Sequence, residues 1–249
     1  MPTKLGQHFL IDESIADRII KYADPKGKLV LEIGSGKGIL TKKLINLAKK
    51  LYVIEIDKRF CDLAKKIGAE VIHGDAVKVE FPHVDMVISN LPYQISSPIT
   101  EKILRKNLPA ILMYQKEFAM RITADPGDPE YSSISFLVRY LSKPEILETV
   151  PRNAFKPMPK VDAAIVKLSP KNIKPDEYLL KFARMMFQHR KNVVGKAIIS
   201  SSHLSRVDKK TLRDLVRKRL KSKKRVYELD INPMKEIAYK FRDVFDNKA

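Results

Sequence analysis

The sequence predicts an α/β fold, with a mostly parallel sheet covered by helices and a small all-helical domain after it. Three observations predict this. Short apolar runs alternate with amphipathic stretches through the first two-thirds of the chain. The alternation stops at Ser169-Pro170-Lys171-Asn172-Ile173-Lys174-Pro175, which holds two prolines and no periodicity and reads as a linker. The charge balance changes at the same place. Residues 1–170 hold 26 Lys and Arg against 20 Asp and Glu, whereas residues 171–249 hold 22 against 9. The expected division is therefore 1–170 and 171–249.

The elements follow in order. Leu29–Ile33, Leu51–Ile56, Glu70–His73, Asp85–Ser89 and Ala110–Tyr114 are each long enough for a buried strand and too short for a helix. Ile39–Ala48 and Lys58–Ile67 between them are amphipathic and read as covering helices. Glu145–Val150 and Ala163–Leu168 are strand-like with no long helix between them, so they are expected as an antiparallel pair closing one sheet edge. Beyond the linker only helices are expected. Asp176 caps one that runs to about Gln188, with Tyr178, Leu179, Phe182, Met186 and Phe187 on one face, and others start near Asp208 and Pro233.

Composition narrows the function classes. The chain of 249 residues is 44% hydrophobic, enough for a real core, and carries a formal net charge of +19. Such a charge favours an anionic partner, nucleic acid before a membrane surface. The single cysteine, Cys61, excludes an intramolecular disulfide and a multi-cysteine zinc site. The five histidines, at 8, 73, 83, 189 and 203, have no ligand spacing, so no metal is expected. The start, Met1-Pro2-Thr3-Lys4-Leu5-Gly6, has no signal-peptide character, and no apolar run reaches membrane-spanning length. A soluble, cytoplasmic protein is expected.

Three strand ends carry the candidate chemistry. Leu29–Ile33 runs into Gly34-Ser35-Gly36-Lys37-Gly38 and then a helix. Glycines there let the backbone turn sharply and approach a ligand closely. Ile39 departs from the dinucleotide fingerprint, and Gly38 after Lys37 departs from the phosphate loop. The G-x-G-x-G spacing matches the nucleoside-binding turn of doubly wound methyltransferases; a plain tight turn is the alternative. At the end of the second strand, Glu55 lies where a carboxylate can accept from a ribose diol, while Asp57 reads as a helix cap. Asp75, after Gly74, could accept from an adenine amine or could serve the turn alone.

The most specific segment is Asn90-Leu91-Pro92-Tyr93. The amine of a nucleobase is a poor nucleophile because its lone pair is delocalised into the ring. A site that methylates it must accept hydrogen bonds from the N–H groups and push the lone pair toward the donor. An amide oxygen and a backbone carbonyl at a turn fixed by Pro92 can do so, and Tyr93 offers a ring for a flipped-out base. An Asn-X-Pro turn with a core tyrosine is the alternative.

Over nearly its full length the chain resembles the KsgA-type ribosomal RNA adenine N6,N6-dimethyltransferases. The matching stretches are Gly6–Leu10, Glu32–Gly38, Glu55–Asp57, Gly74–Ala76, Asn90–Pro98 and Asn153–Asp162. The erythromycin-resistance methylases share the glycine turn and a similar Asn-X-Pro-aromatic motif, but Ile95–Pro98 and the basic helical tail are closer to the KsgA side. The resemblance implies a Rossmann-like class I methyltransferase domain using S-adenosylmethionine, acting as a monomer on small-subunit rRNA within an immature ribosomal subunit. It implies that His8 and Leu10 cover the methionine end of the cofactor and that Gly34 and Gly36 form the turn beneath it. It gives the ribose hydroxyls to Glu55, the adenine amine to Asp75 and the target amine to Asn90 and the Leu91 carbonyl. Tyr93 and Phe155 are then expected to stack on the two faces of the target base. The family's target is a pair of adjacent adenines near the 3′ end. A large-subunit rRNA adenine methylase and a non-catalytic assembly or transcription factor are the rival readings.

Two features stand beside that resemblance. Phe155 lies among Pro151, Pro157, Pro159 and the cations Arg152, Lys156 and Lys160, which suits stacking on a base or anchoring a loop. Arg217–Arg225 holds seven cations in nine residues, and its sign and setting favour contacts to RNA phosphates over a merely solvated face.

Overall fold

A computed structural model of the chain describes residues 8–246. Gly6 and Gln7 of the N-terminal motif lie outside the described residues. The first strand, β1 (Phe9–Leu10), is followed by α1 (Glu13–Ala23). Asp12 caps α1, its Oδ1 accepting from the Ser14 and Ile15 amides at 2.9 and 3.4 Å. Ile15, Ala16, Ile19 and Ala23 make its buried face, and Asp24 ends it at φ 45°.

Strand–helix units follow: β2 (Leu29–Ile33), α2 (Ile39–Leu44), β3 (Lys50–Glu55), α3 (Lys58–Ile67), β4 (Glu70–His73), β5 (Met86–Asn90), α4 (Ser96–Arg105) and β6 (Ala110–Gln115). Asp57 caps α3, accepting from the Arg59 amide, as expected from the sequence. After α5 (Lys116–Thr123) and α6 (Ser133–Leu141) come β7 (Ser142–Val150), β8 (Phe155–Lys156) and β9 (Ala163–Pro170).

The seven-stranded sheet has the order β4-β3-β2-β5-β6-β9-β7. β4 through β6 pair in parallel, and β9 and β7 are antiparallel additions at one edge. Val30, Leu31, Ile33, Val53, Val87, Ile88, Leu112 and Ile165 are buried, as a sheet covered on both faces requires. β1 pairs only with β8, Leu10 opposite Phe155. The strand order reverses between β2 and β5, and in open sheets of this kind ligands bind beyond the carboxyl ends of the strands at that point.

The chain divides into two compact units, residues 1–120 with 141–173 and residues 121–140 with 174–249. The second therefore takes in residues 121–140, which the linear division assigns to the first. It also contains α7 (Glu177–Phe187), α8 (Val194–Ser200), α9 (Lys209–Arg219), α10 (Ile231–Lys240) and α11 (Arg242–Phe245). Phe187 packs against Phe136 and Tyr131, which joins the inserted segment to the helices, and Phe182 meets Phe245 edge-on. Arg219 folds inward onto Asp243 and the Lys240 carbonyl. The rest of the 217–225 cations are exposed, and α9 ends at Arg219, so residues 217–219 of the run are helical and residues 220–225 are not. Among the described residues, no helix is long and apolar enough to cross a membrane.

Candidate active site

One cavity of about 190 Å³ opens at the carboxyl ends of β2, β3, β4 and β5. Its floor is the turn after β2. Gly34 and Gly36 have φ of +75° and +51°. A Cβ on Gly34 would lie 3.2 Å from the Pro92 ring carbons, and one on Gly36 would lie 3.0 Å from the Phe9 ring. Both the conformation and the space therefore call for glycine.

Glu55 is the last residue of β3 and is only 5% exposed. Its Oε1 accepts from the Ile56 and Asp57 amides at 2.8 and 3.0 Å, and its Oε2 from the Gly36 amide at 3.2 Å. The carboxylate thus ties the glycine turn to the second strand while lining the cavity. Asp75 lines the same wall, its Oδ1 accepting from the Val77 amide at 2.9 Å.

Asn90 ends β5, and Leu91, Pro92 and Tyr93 turn the chain into α4. The Ser89 hydroxyl donates to the Ile33 carbonyl, bolting the end of β5 to the end of β2. The Leu91 amide donates to Met113 of β6 at 3.3 Å. The buried Tyr93 hydroxyl has no partner, and burial pushes its pKa up to about 12, so it is a neutral phenol. Its ring centroid lies 5.9 Å from that of His8. His8 Nδ1 donates to the Pro157 carbonyl at 2.8 Å, since a carbonyl can only accept. This bond, with the β1–β8 pairing, holds His8, Phe9 and Leu10 at the cavity wall.

Ten of the eleven residues singled out from the sequence line this cavity: His8, Leu10, Gly34, Gly36, Glu55, Asp75, Asn90, Leu91, Pro92 and Tyr93. Phe155 departs from expectation. It is 2% exposed, it belongs to the hydrophobic core with Leu10 and Ala154, and it does not line the cavity. Its backbone pairs with Leu10 of β1, and its side chain is packed into the core.

The sequence reading missed Glu32, Ser35 and Ile56. Glu32 lines the cavity at 2% exposure, and burial pushes its carboxyl up to about 8. The charge of Glu55 adds to the rise, and the hydrogen bond that Thr41 Oγ1 donates to Glu32 at 2.7 Å opposes it. Its signal was an acidic residue inside an apolar strand. Ser35 Oγ is buried without a partner, and Ile56 is 54% exposed at the cavity. Glu55 and Asp75, with Glu32 kept neutral by burial, stand against one lysine, Lys37, and suit a ligand rich in hydrogen-bond donors. Among the described residues, no group of His, Cys, Asp and Glu could hold a metal ion.

The comparisons with known proteins give the family and the fold. A model of the family described as "Ribosomal RNA adenine dimethylase" matches residues 1–239. A probable ribosomal RNA small subunit methyltransferase A of Pyrococcus abyssi is 43% identical, over 96% of this chain and 91% of its own. One of Methanococcus maripaludis is 42% identical, over 86% of this chain and 85% of its own. A solved dimethyladenosine transferase of Plasmodium falciparum superposes with a TM-score of 0.83 at 32% identity, covering 96% of this chain and all of that one. A solved 23S rRNA methyltransferase, ErmE, superposes with a TM-score of 0.66 at 23% identity, covering 93% and 98%, which speaks to the fold alone.

Proposed function

We propose, because the chain belongs to the ribosomal RNA adenine dimethylase family, that it dimethylates N6 of two adjacent adenines near the 3′ end of small-subunit rRNA. The methyl donor on this reading is S-adenosylmethionine, which supplies an electrophilic methyl group on a cationic sulfur. The cavity fits it. The buried Ser35 hydroxyl has no partner and lines the cavity, and the left-handed turn at Gly34 and Gly36 brings bare backbone to its floor, as a close, polar ligand requires. Glu55 would accept from the ribose hydroxyls and Asp75 from the adenine amine, with His8 and Leu10 closing over the methionine end.

The observation that carries the reading is the placement of Asn90–Tyr93 in the same cavity as Glu55 and Asp75. The Asn90 side-chain oxygen and the Leu91 carbonyl would accept the two N–H bonds of the target amine. That turns its lone pair out of conjugation and toward the methyl group. As the N–C bond forms and the methyl–sulfur bond breaks, leaving a neutral thioether, the amine would become acidic, and its proton can leave to water. Tyr93, neutral and ring-exposed to the cavity, would stack on the base. The second transfer repeats the first on the same nitrogen after the cofactor is exchanged.

The exposed cations of 217–225 would contact RNA phosphates, which fits a monomeric cytoplasmic protein acting in ribosome biogenesis on immature small subunits. The large-subunit alternative draws on the likeness to ErmE and on the glycine turn and Asn-X-Pro-aromatic motif shared with the erythromycin-resistance methylases. Incubating immature small subunits with radiolabelled S-adenosylmethionine and mapping the modified bases tests the proposal. Label in two adjacent dimethyladenosines near the 3′ end is expected. Label confined to large-subunit rRNA, or none, would overturn it.

A further inference from the structure

The turn that carries Asp75 is gripped from α4. Asp75 Oδ1 accepts from the Val77 amide, and the Asp75 carbonyl accepts from the Lys78 and Val79 amides at 2.9 Å each. The carbonyls of that turn converge on one cation. Lys102 Nζ donates to Ala76 at 3.0 Å, to Val77 at 3.2 Å and to Val79. The same ammonium stands 4.5 Å from the centroid of the buried Phe81 ring. At the end of the helix, Lys106 pairs with Glu80 at 3.0 Å.

An ammonium has three hydrogens to donate, and here three carbonyls take them. None is left for an RNA phosphate, so Lys102 is not part of the basic surface. Burial lowers its pKa, with Lys106 adding and Glu80 and Asp75 opposing. α4 starts at Ser96, just after the Asn90–Tyr93 turn. One helix thus joins the acceptor turn to the turn that bears Asp75.

We infer that Lys102 is a positioning residue for the methyl donor, whose three hydrogen bonds fix the 75–79 turn and aim Asp75 at the adenine amine. The inference rests on the proposed role of Asp75. A residue that acts this way controls recognition of one functional group, the 6-amino group, and not cofactor binding as a whole. A residue that only braces the fold would weaken every ligand alike.

Calorimetry on the full chain with S-adenosylhomocysteine and its deaminated analogue S-inosylhomocysteine separates these cases. The wild type is expected to prefer the adenine compound, and Asp75→Ala to abolish that preference. Lys102→Met keeps the packing on Phe81 and removes the donors. It should lose about tenfold in affinity for the adenine compound, the size of one charge-assisted hydrogen bond, with no change for the inosine compound. If Lys102→Met does not fold, Lys102→Gln carries the same comparison. Alkylating Lys102→Cys with 2-bromoethylamine rebuilds the ammonium and should restore the preference; the native Cys61 is buried. If Asp75→Ala keeps the preference, the reading of Asp75 fails, and the inference with it. If Asp75→Ala abolishes the preference while Lys102→Met keeps it, or weakens both ligands equally, the inference alone fails.

Discussion

Three carboxyls in one cavity meet different fates because their surroundings differ. Glu55 accepts from three backbone amides, one of them in the glycine turn, so Glu55→Ala removes a charge-assisted acceptor together with that tie. The expected loss in S-adenosylmethionine affinity, read by calorimetry on the folded variant, is roughly 1.5–3 kcal/mol. Unchanged affinity would remove Glu55 from the site. Glu32 has no such set of donors, and its carboxyl is held neutral up to about pH 8. Below about 4.5, its ordinary value, it is protonated folded or unfolded. Between 4.5 and 8 only the unfolded chain ionises, so this group's stabilising contribution falls as pH rises, by about 1.4 kcal/mol for each pH unit crossed, and is level above 8. The stability difference between wild type and Glu32→Gln, followed by thermal unfolding, should shrink over that window; a difference flat with pH would mean that Glu32 is ionised in the native state. Phe155 is the residue on which sequence and structure part. As a core residue, Phe155→Ala should cost about 3–5 kcal/mol in denaturant unfolding, and Phe155→Leu should fold and turn over near the wild-type rate. A folded Phe155→Leu with a collapsed kcat would return the ring to the target base.

At the scale of elements, what was legible depended on whether the signal was local. Leu29–Ile33 and Lys58–Ile67 have the bounds read from the sequence, because a buried parallel strand is a continuous apolar run and an amphipathic helix with an Asp cap and a following glycine marks both its ends. The antiparallel closing pair was equally legible, though β7 starts at Ser142 and carries a bulge between Ile146 and Glu148 that no period shows. α4 was not assigned from the sequence; it carries Pro98 in its first turn, where proline is tolerated. β1 and β8 are two residues each and exist only because they meet across more than 140 positions, so no local period marks them. Of the basic run, only residues 217–219 belong to α9. Excluding Arg219, which is engaged with Asp243, the cations left for RNA include Lys221, Lys223, Lys224 and Arg225. Replacing those four with Gln should raise KM for the ribosomal substrate and leave kcat nearly unchanged. It should also flatten the salt dependence, by roughly 0.9 in log–log slope for each phosphate no longer neutralised, taking duplex DNA as the guide. Equal affinities with parallel salt slopes would leave the run as surface charge.

At the scale of the whole molecule, the strand-order reversal between β2 and β5 is what turns separate motifs into one site. It places the acidic ends of β3 and β4 to one side of the glycine turn and the Asn90–Tyr93 turn to the other. The four sequence motifs were legible as chemistry, but their convergence was legible only through the family resemblance, since no spacing along the chain says which strand ends are neighbours. That division of labour means that donor binding and methyl transfer should separate cleanly. The most direct test is made on one preparation of Asn90→Ala, by titrating S-adenosylmethionine calorimetrically and following dimethyladenosine formation on immature small subunits. The account predicts donor affinity within about threefold of wild type and turnover lower by on the order of 10² or more, as for loss of an acceptor that acts in the transition state. Dimethylation at a near wild-type rate would contradict it.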